Sequence, residues 1–191
     1  MDRLKIFETE LSYIINPKIK EFTEKALNSL PEYFFSIPAS STGKYHPSYA
    51  LGEGGLVRHT KSAVRIAVEL FRVEMFKYTE DEKDMIISSL ILHDGCKSGL
   101  NHSKYTLTEH PLIVAKLIRE NEEINGCIDK ETLNLIATNI ESHMGQWTFD
   151  FKTKKNVLPK PKTKLQNFVH WCDYLASRKC LEFNFDVKVT R

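Results

Sequence analysis

Four histidines and two aspartates lie on the apolar faces of five segments with helical periodicity, and this feature constrains the fold more than any other. His59 shares a stripe with Ala63, Ile66 and Leu70, in steps of four, three and four. His93 continues the line of Ile86 and Leu90, and Asp94 the adjoining line of Ile87 and Ile91. His110 heads a stripe through Val114 and Leu117, His143 ends one through Leu133, Ile136 and Ile140, and Asp173 falls between Val169 and Ala176. At about 100° per residue each group points the way its apolar neighbours point, toward the core. A single histidine so placed is usually a hydrogen-bonded core residue. Six ionisable groups on five helices are another matter, because an uncompensated buried carboxylate is costly. A metal cluster supplies the compensating charge. Mixed imidazole and carboxylate donors suit Mn, Fe, Co, Ni or Zn better than Mg or Ca.

The remaining pattern is also helical. Leu4, Phe7, Leu11 and Ile14 predict a helix over 3–15, and Asn16 followed by Pro17 reads as an N-cap opening a second helix to about Ser29. Further helices are predicted at 56–77, 82–97, 109–121, 130–143 and 163–179. Residues 38–55, rich in Ser, Gly and Pro, form a long loop, and such loops in compact domains are functional or disordered. Alternating apolar residues predict two short strands, expected to pair as a small β-hairpin formed by 146–151 and 181–189. With 191 residues, 41% hydrophobic and 27% charged, the chain is expected to form one mostly α globular unit. Within it, an N-terminal helical extension (1–37) packs on a core of 38–191.

Composition excludes some classes of function. There are 27 basic residues against 25 acidic ones, so no global basic field draws the chain to nucleic acid. The longest apolar stretch, 85–92, is too short to span a bilayer, and acidic residues interrupt the N-terminal stretch where a secretion signal needs an apolar core. The four cysteines lack CxxC spacing. The expectation is a cytoplasmic protein with reduced thiols and no membrane partner, of open oligomeric state.

Five blocks then carry a likeness. Gly54-Gly55-Leu56-Val57-Arg58-His59-Thr60, Leu92-His93-Asp94-Gly95-Cys96-Lys97, Glu109-His110-Pro111, Ser142-His143-Met144-Gly145 and His170-Trp171-Cys172-Asp173 follow in one order. That order resembles the HD superfamily of metal-dependent phosphohydrolases, from about residue 38 to residue 179. The blocks are most similar to the HD domains of bacterial 3′-to-5′ exoribonucleases and of small phage and bacterial HD proteins. The resemblance implies an HD-domain helical bundle holding two divalent transition-metal ions. His59, His93, Asp94 and Asp173 would hold one, with Asp94 bridging to a second held by His110 and His143. Such a pair activates water as hydroxide and clamps phosphoryl oxygens during in-line attack, with Asp94 and Lys97 as the catalytic residues. The chain departs from the pattern at Gly95-Cys96, where the family has an aliphatic residue and Gly, and at Met144, where it often has a second histidine.

Lys97 keeps the family's lysine position one turn beyond Asp94, suited to neutralising a substrate phosphate, although a helix C-terminus favours lysine in any case. Ser40, Ser41, Thr42, Lys44, Tyr45 and His46 lie in the loop feeding His59 and are candidates for lining a substrate pocket. A basic run including Lys160 and Lys162 leads into the Asp173 helix, and Arg178 follows it; these are candidates for phosphate contact. Trp147 can stack on a base, with a core or strand role as the plainer reading. The expected activity is hydrolysis of phosphoester or phosphoanhydride bonds in a nucleotide-type small substrate. The alternatives are a 3′-to-5′ exonuclease or cyclic-oligonucleotide phosphodiesterase acting on short nucleic acid, and a non-catalytic nucleotide-sensing module. Near-neutral charge, and the lack of room for the added nucleic-acid-binding domain of those exonucleases, favour the small substrate. The complete ligand set disfavours the sensing module.

Overall fold

The computed structural model describes residues 2–40 and 42–181. Nine helices are present among them: α1 (Arg3–Ile6), α2 (Glu8–Leu11), α3 (Pro17–Ser29), α4 (Gly55–Leu70), α5 (Glu80–Leu92), α6 (His110–Glu120), α7 (Glu122–Asn125), α8 (Lys130–Ser142) and α9 (Lys164–Ala176). Short 3₁₀ turns occupy 32–35 and 48–50. No helix among the described residues is long and apolar enough to cross a membrane.

α5 is the central element. Every residue from Asp84 to Leu92 is buried, so it presents no solvent face, as expected of a helix packed on all sides. α3, α4, α8 and α9 pack around it, and α6 lies against α8. A Thr79–Glu82 capping box starts α5, and Asn16 caps α3 by accepting from Lys18 N and Ile19 N. Phe7, Phe22 and Phe34, all fully buried, belong to the same core as Leu90, Ile140 and Phe168. The N-terminal segment thus shares one apolar interior with the rest of the chain.

Several predicted elements are shorter than their periodicity suggests. The helix expected over 3–15 breaks at Phe7, whose N–H closes a tight turn onto Leu4 O while its ring enters the core. α4 ends at Leu70 rather than 77, and the chain turns so that Phe71, Phe76 and Tyr78 surround Phe168. α5 ends at Leu92 rather than 97. Beyond it the backbone tightens into successive turns, with Gly95 N on Leu92 O, Lys97 N on Asp94 O and Gly99 N on Cys96 O. Gly95 lets Leu30 pack against this turn: a Cβ would sit 2.5 Å from Leu30 Cδ2 and displace that side chain.

The strand β1 (Phe149–Asp150) pairs antiparallel with β2 (Lys155–Asn156), Phe149 opposite Asn156. Its partner is therefore local. The Asp150 carboxylate stabilises the intervening turn by accepting from Lys152 N, Thr153 N and Thr153 Oγ1. Of the second predicted strand (181–189), residues 182–189 lie outside the described residues.

Candidate metal centre

The first block, Gly54 to Thr60, has a mechanical explanation. Gly55 packs so closely on the 48–50 turn that a Cβ would lie 2.3 Å from Ala50 O, and Gly54 takes φ +67° to enter the helix. Arg58 then folds back to donate to the carbonyls of Tyr49, Leu51 and Glu53, tying the long loop to the first turn of α4. One residue on, His59 faces the interior.

Five elements converge on one point. His59 comes from α4, His93 and Asp94 from the turn ending α5, His110 from the first position of α6, His143 from the end of α8 and Asp173 from α9. All but Asp173 are essentially buried, and Asp173 keeps 17% of its side chain accessible. Asp94 is the centre. Its Oδ1 lies 2.9 Å from His110 Nε2 and 3.8 Å from His143 Nε2. Its Oδ2 lies 3.6 Å from His93 Nε2 and 3.7 Å from His59 Nε2. Asp173 Oδ1 completes that second side, 2.9 Å from His59 Nε2 and 3.4 Å from His93 Nε2. The donor atoms form three overlapping triads, each within 4.8 Å: His59–His93–Asp94, His93–His143–Asp173 and Asp94–His110–His143.

The tautomers follow from the backbone. His93, His110 and His143 each place Nδ1 2.6–2.8 Å from the carbonyl three residues earlier, on Leu90, Leu107 and Ile140. A carbonyl only accepts, so Nδ1 carries a proton, and each ring when neutral turns its Nε2 lone pair to the centre. The buried Nε2 atoms of His93 and His110 meet only the carboxylates of Asp94 and Asp173. Lone pairs crowded against carboxylate oxygens are what a transition-metal site presents, and N/O donors of this kind fit the expected divalent ions.

With no cation between them, the carboxylates lean on the same imidazoles for positive charge. Burial alone would raise the carboxyls, yet Lys97, His93 and His110 hold Asp94 well below the usual range, and His59 and His93 do the same for Asp173. Burial and the neighbouring His93 push His143 down to about 3. Burial also works against charge on His93, but Asp94, then Asp173, overcome it and raise its pKa. Two fixed negative charges thus demand positive charge at the centre.

A cavity of about 370 Å³ opens onto this cluster. Of the residues expected to meet substrate, Tyr45, His46, Lys97 and Arg178 line it. Lys97 Nζ sits 2.5 Å from Asp94 Oδ2, so its ammonium is engaged with the central carboxylate at the cavity edge. Burial, with the His59 and Lys97 charges, pushes His46 down to about 3. The Lys44 ammonium lies over the Tyr45 ring, and Ser41 lies outside the described residues. Lys160 and Lys162 are exposed and do not line the cavity. They precede α9, whose first nine residues put about 13 Å of helix between them and Asp173.

Two residues are more engaged than sequence reasoning suggested. Trp147, for which base stacking was the second reading and core or strand the plainer one, is 47% exposed and lines the cavity, stacked on Tyr174. His170 donates Nδ1–H to the His143 carbonyl at 2.7 Å, with Gly145 (φ +63°) so close that a Cβ would meet the His170 ring at 2.2 Å. Its place one turn before Asp173 on the same helix was the available signal. Cys96 and Cys172, which flank ligands, are no nucleophiles: burial pushes the Cys96 thiol up to about 12 and Cys172 well above its ordinary value.

A larger open cleft, about 980 Å³, lies between the 98–107 turns and α6–α7, with Leu107, Ile113 and Leu117 among its walls. None of the converging ionisable groups reaches it, so size does not mark the chemistry here.

The family model described as HD domain matches residues 46–178, more than half of the chain. No curated protein and no solved structure matches it.

Proposed function

The chain belongs to the HD-domain family, within a superfamily of metal-dependent phosphohydrolases, and from that premise we propose that it hydrolyses a phosphoester or phosphoanhydride bond of a small nucleotide. Its cofactors in this reading are two divalent transition-metal ions, held by His59, His93, Asp94 and Asp173 on one side and by Asp94, His110 and His143 on the other. One observation carries the reading: histidine lone pairs, fixed by backbone carbonyls, face both oxygens of a buried carboxylate. His110 Nε2 and Asp94 Oδ1 stand 2.9 Å apart, and with Nδ1–H spent on the Leu107 carbonyl a neutral His110 sets a lone pair against that oxygen, so a proton or a metal ion belongs between them.

When bound, the ions supply Lewis acidity toward phosphoryl oxygen and an activated water at neutral pH. The chain's own residues do the rest. Asp94 divides its two oxygens between the two histidine sets. Lys97 fixes that carboxylate and offers positive charge at the cavity edge, where a phosphoryl group would gain most from it. Arg178 supplies a second cation at the mouth. At about 370 Å³ the cavity is near the small end of ligand pockets, which suits one nucleotide better than a polymer. Our reading of the block order likens the chain to the HD domains of bacterial 3′-to-5′ exoribonucleases and small phage and bacterial HD proteins, with residues 1–37 as an extension bracing the bundle in a cytoplasmic protein.

Elemental analysis together with a hydrolysis screen tests this. We expect close to two metals per chain, and release of phosphate or pyrophosphate from mononucleotides. One metal per chain would overturn the dinuclear site. Stepwise degradation of a single-stranded oligonucleotide, steeply suppressed by salt, would assign exonuclease activity instead. Nucleotide binding without turnover under any of the five metals would make the chain a sensing module.

A further inference from the structure

The cavity mouth is built from alternating rings and cations. The Trp147 indole lies nearly parallel to the Tyr174 ring, 5.7 Å between centroids and 14° between planes. The Arg178 guanidinium lies 4.3 Å from the Tyr174 centroid and 5.9 Å from that of Tyr45, and the Ser177 hydroxyl holds it. Three separate segments therefore contribute to one layered wall: the loop before α4, the turn after α8 and the last turn of α9. Tyr174 covers one face of the indole, yet about half of Trp147 stays exposed where it lines the cavity. Trp171 is exposed to the same extent but does not line the cavity, so place and not exposure singles out Trp147. This one is held rigidly by its neighbour and left open at the entrance to a polar site.

We infer that Trp147 is the base-binding face of this cavity: the nucleobase extends the Trp147–Tyr174–Arg178 stack while the phosphate end points to Lys97 and Asp94. The inference rests on the nucleotide reading above and sharpens it. Stacking uses the π-face that every base has, so the subsite requires a base without selecting one strictly, and a purine gains more than a pyrimidine from its larger area. Tyr174 acts as a positioning residue, since it holds the indole without meeting the base.

Fluorescence provides a readout independent of catalysis. Trp147 and Trp171 are the only tryptophans, so a Trp171→Phe protein reports on Trp147 alone. Adenosine 5′-monophosphate is titrated into this protein, metal-loaded and chelated, with ribose 5-phosphate as the baseless control. We expect quenching by the nucleotide in both states and none by the sugar phosphate. With Trp171 left in place, calorimetric affinity for the nucleotide should fall about tenfold to a hundredfold in Trp147→Ala and return to within about threefold in Trp147→Phe. Ribose 5-phosphate should bind all three alike. Equal affinity for the two ligands in the parent protein, or unchanged nucleotide affinity in Trp147→Ala, overturns the inference. If nucleotide hydrolysis persists in that event and is abolished by Asp94→Ala, the hydrolase reading stands and only the base subsite falls. Quenching in a protein that hydrolyses no phosphate substrate would instead leave the subsite and remove the hydrolase.

Discussion

Asp84 and Asp94 stand ten positions apart on one face of α5 and its terminal turn, both buried, and the chain satisfies them in opposite ways. Asp84 accepts from the main-chain N–H groups of Ile15 and Asn16, the link between α2 and α3, at 2.7–3.1 Å. Donors meet acceptors, and the carboxylate joins the N-terminal segment to the central helix. Asp94 instead faces imidazole lone pairs on both oxygens, with one ammonium at its edge. With the imidazoles neutral, acceptors meet acceptors there. Burial of a charge is common to both sites; what the partners offer separates a structural tie from a metal centre.

The sharpest break in that comparison is to remove each carboxylate in turn. Asp94→Ala should lose metal and reduce hydrolysis to background. Metal at a thousand times its dissociation constant should stabilise the parent protein by about 4 kcal/mol and this variant far less. Asp84→Ala should keep full metal content but cost about 3 kcal/mol in denaturant unfolding, because two backbone donors lose a charged acceptor. Metal loss in Asp84→Ala equal to that in Asp94→Ala would erase the distinction.

Lys97 sharpens the same contrast, since it gives Asp94 its one ordinary partner. We expect Lys97→Ala to retain both metals while the catalytic rate falls roughly a hundredfold, the scale of losing one preorganised charge in a dry site. Lys97→Arg should recover only part, because a planar fork differs in reach from a compact ammonium. Kinetics and metal content are read on one preparation. An unchanged rate would reduce Lys97 to a counter-charge for Asp94.

One shell farther out, His170 holds the His143 carbonyl, and Gly145 leaves room for it. Gly145→Ala would drive a methyl into the His170 ring and strain a positive φ, and His170→Ala would free the carbonyl. Both should weaken metal binding by about tenfold to a hundredfold, as losses of outer partners of a ligand do. Calorimetric titration of the metal measures this, and unaltered affinity in both would show that His143 needs no support.

The stripes made most of this bundle legible. Helical period located His59, His93, His110, His143 and Asp173 because a helix fixes which side chains face inward from sequence alone. It could not separate Asp84 from Asp94, since positions 84, 87, 91 and 94 share one line, and the donors that satisfy Asp84 lie 69 and 68 residues away in a loop. Helix ends were overextended for the same reason. The apolar period continues through Phe71 and Cys96, but the backbone turns where Phe168 and Leu30 need partners. For Trp147 only the plainer reading, core or strand, fails, because aromatic alternation signals a strand equally well when the ring lines a cavity. Lys160 and Lys162 were grouped with the site by their nearness to α9 in sequence, which its length undoes.

Glu10 supplies a third buried carboxylate and the mildest test. It is fully buried, neither of its oxygens makes a hydrogen bond, and the Lys61 ammonium stands 3.4 Å away. Here one cation answers one anion between α2 and α4, with no lone pairs in opposition and no cavity. Pairs of this kind recover little of their desolvation cost, so apolar replacements of both members are often neutral or better. Lys61→Met should cost about 3 kcal/mol by leaving Glu10 uncompensated, whereas Glu10→Met with Lys61→Met should return to within about 1 kcal/mol of the parent. Metal content and rate should not move in the double variant, because neither residue touches the centre although Lys61 is two positions from His59. Equilibrium unfolding of the three proteins decides the first point. A fall in metal affinity in the double variant would mean that the ion pair positions α4, and with it His59, and that the buried charge at Glu10 serves the site after all.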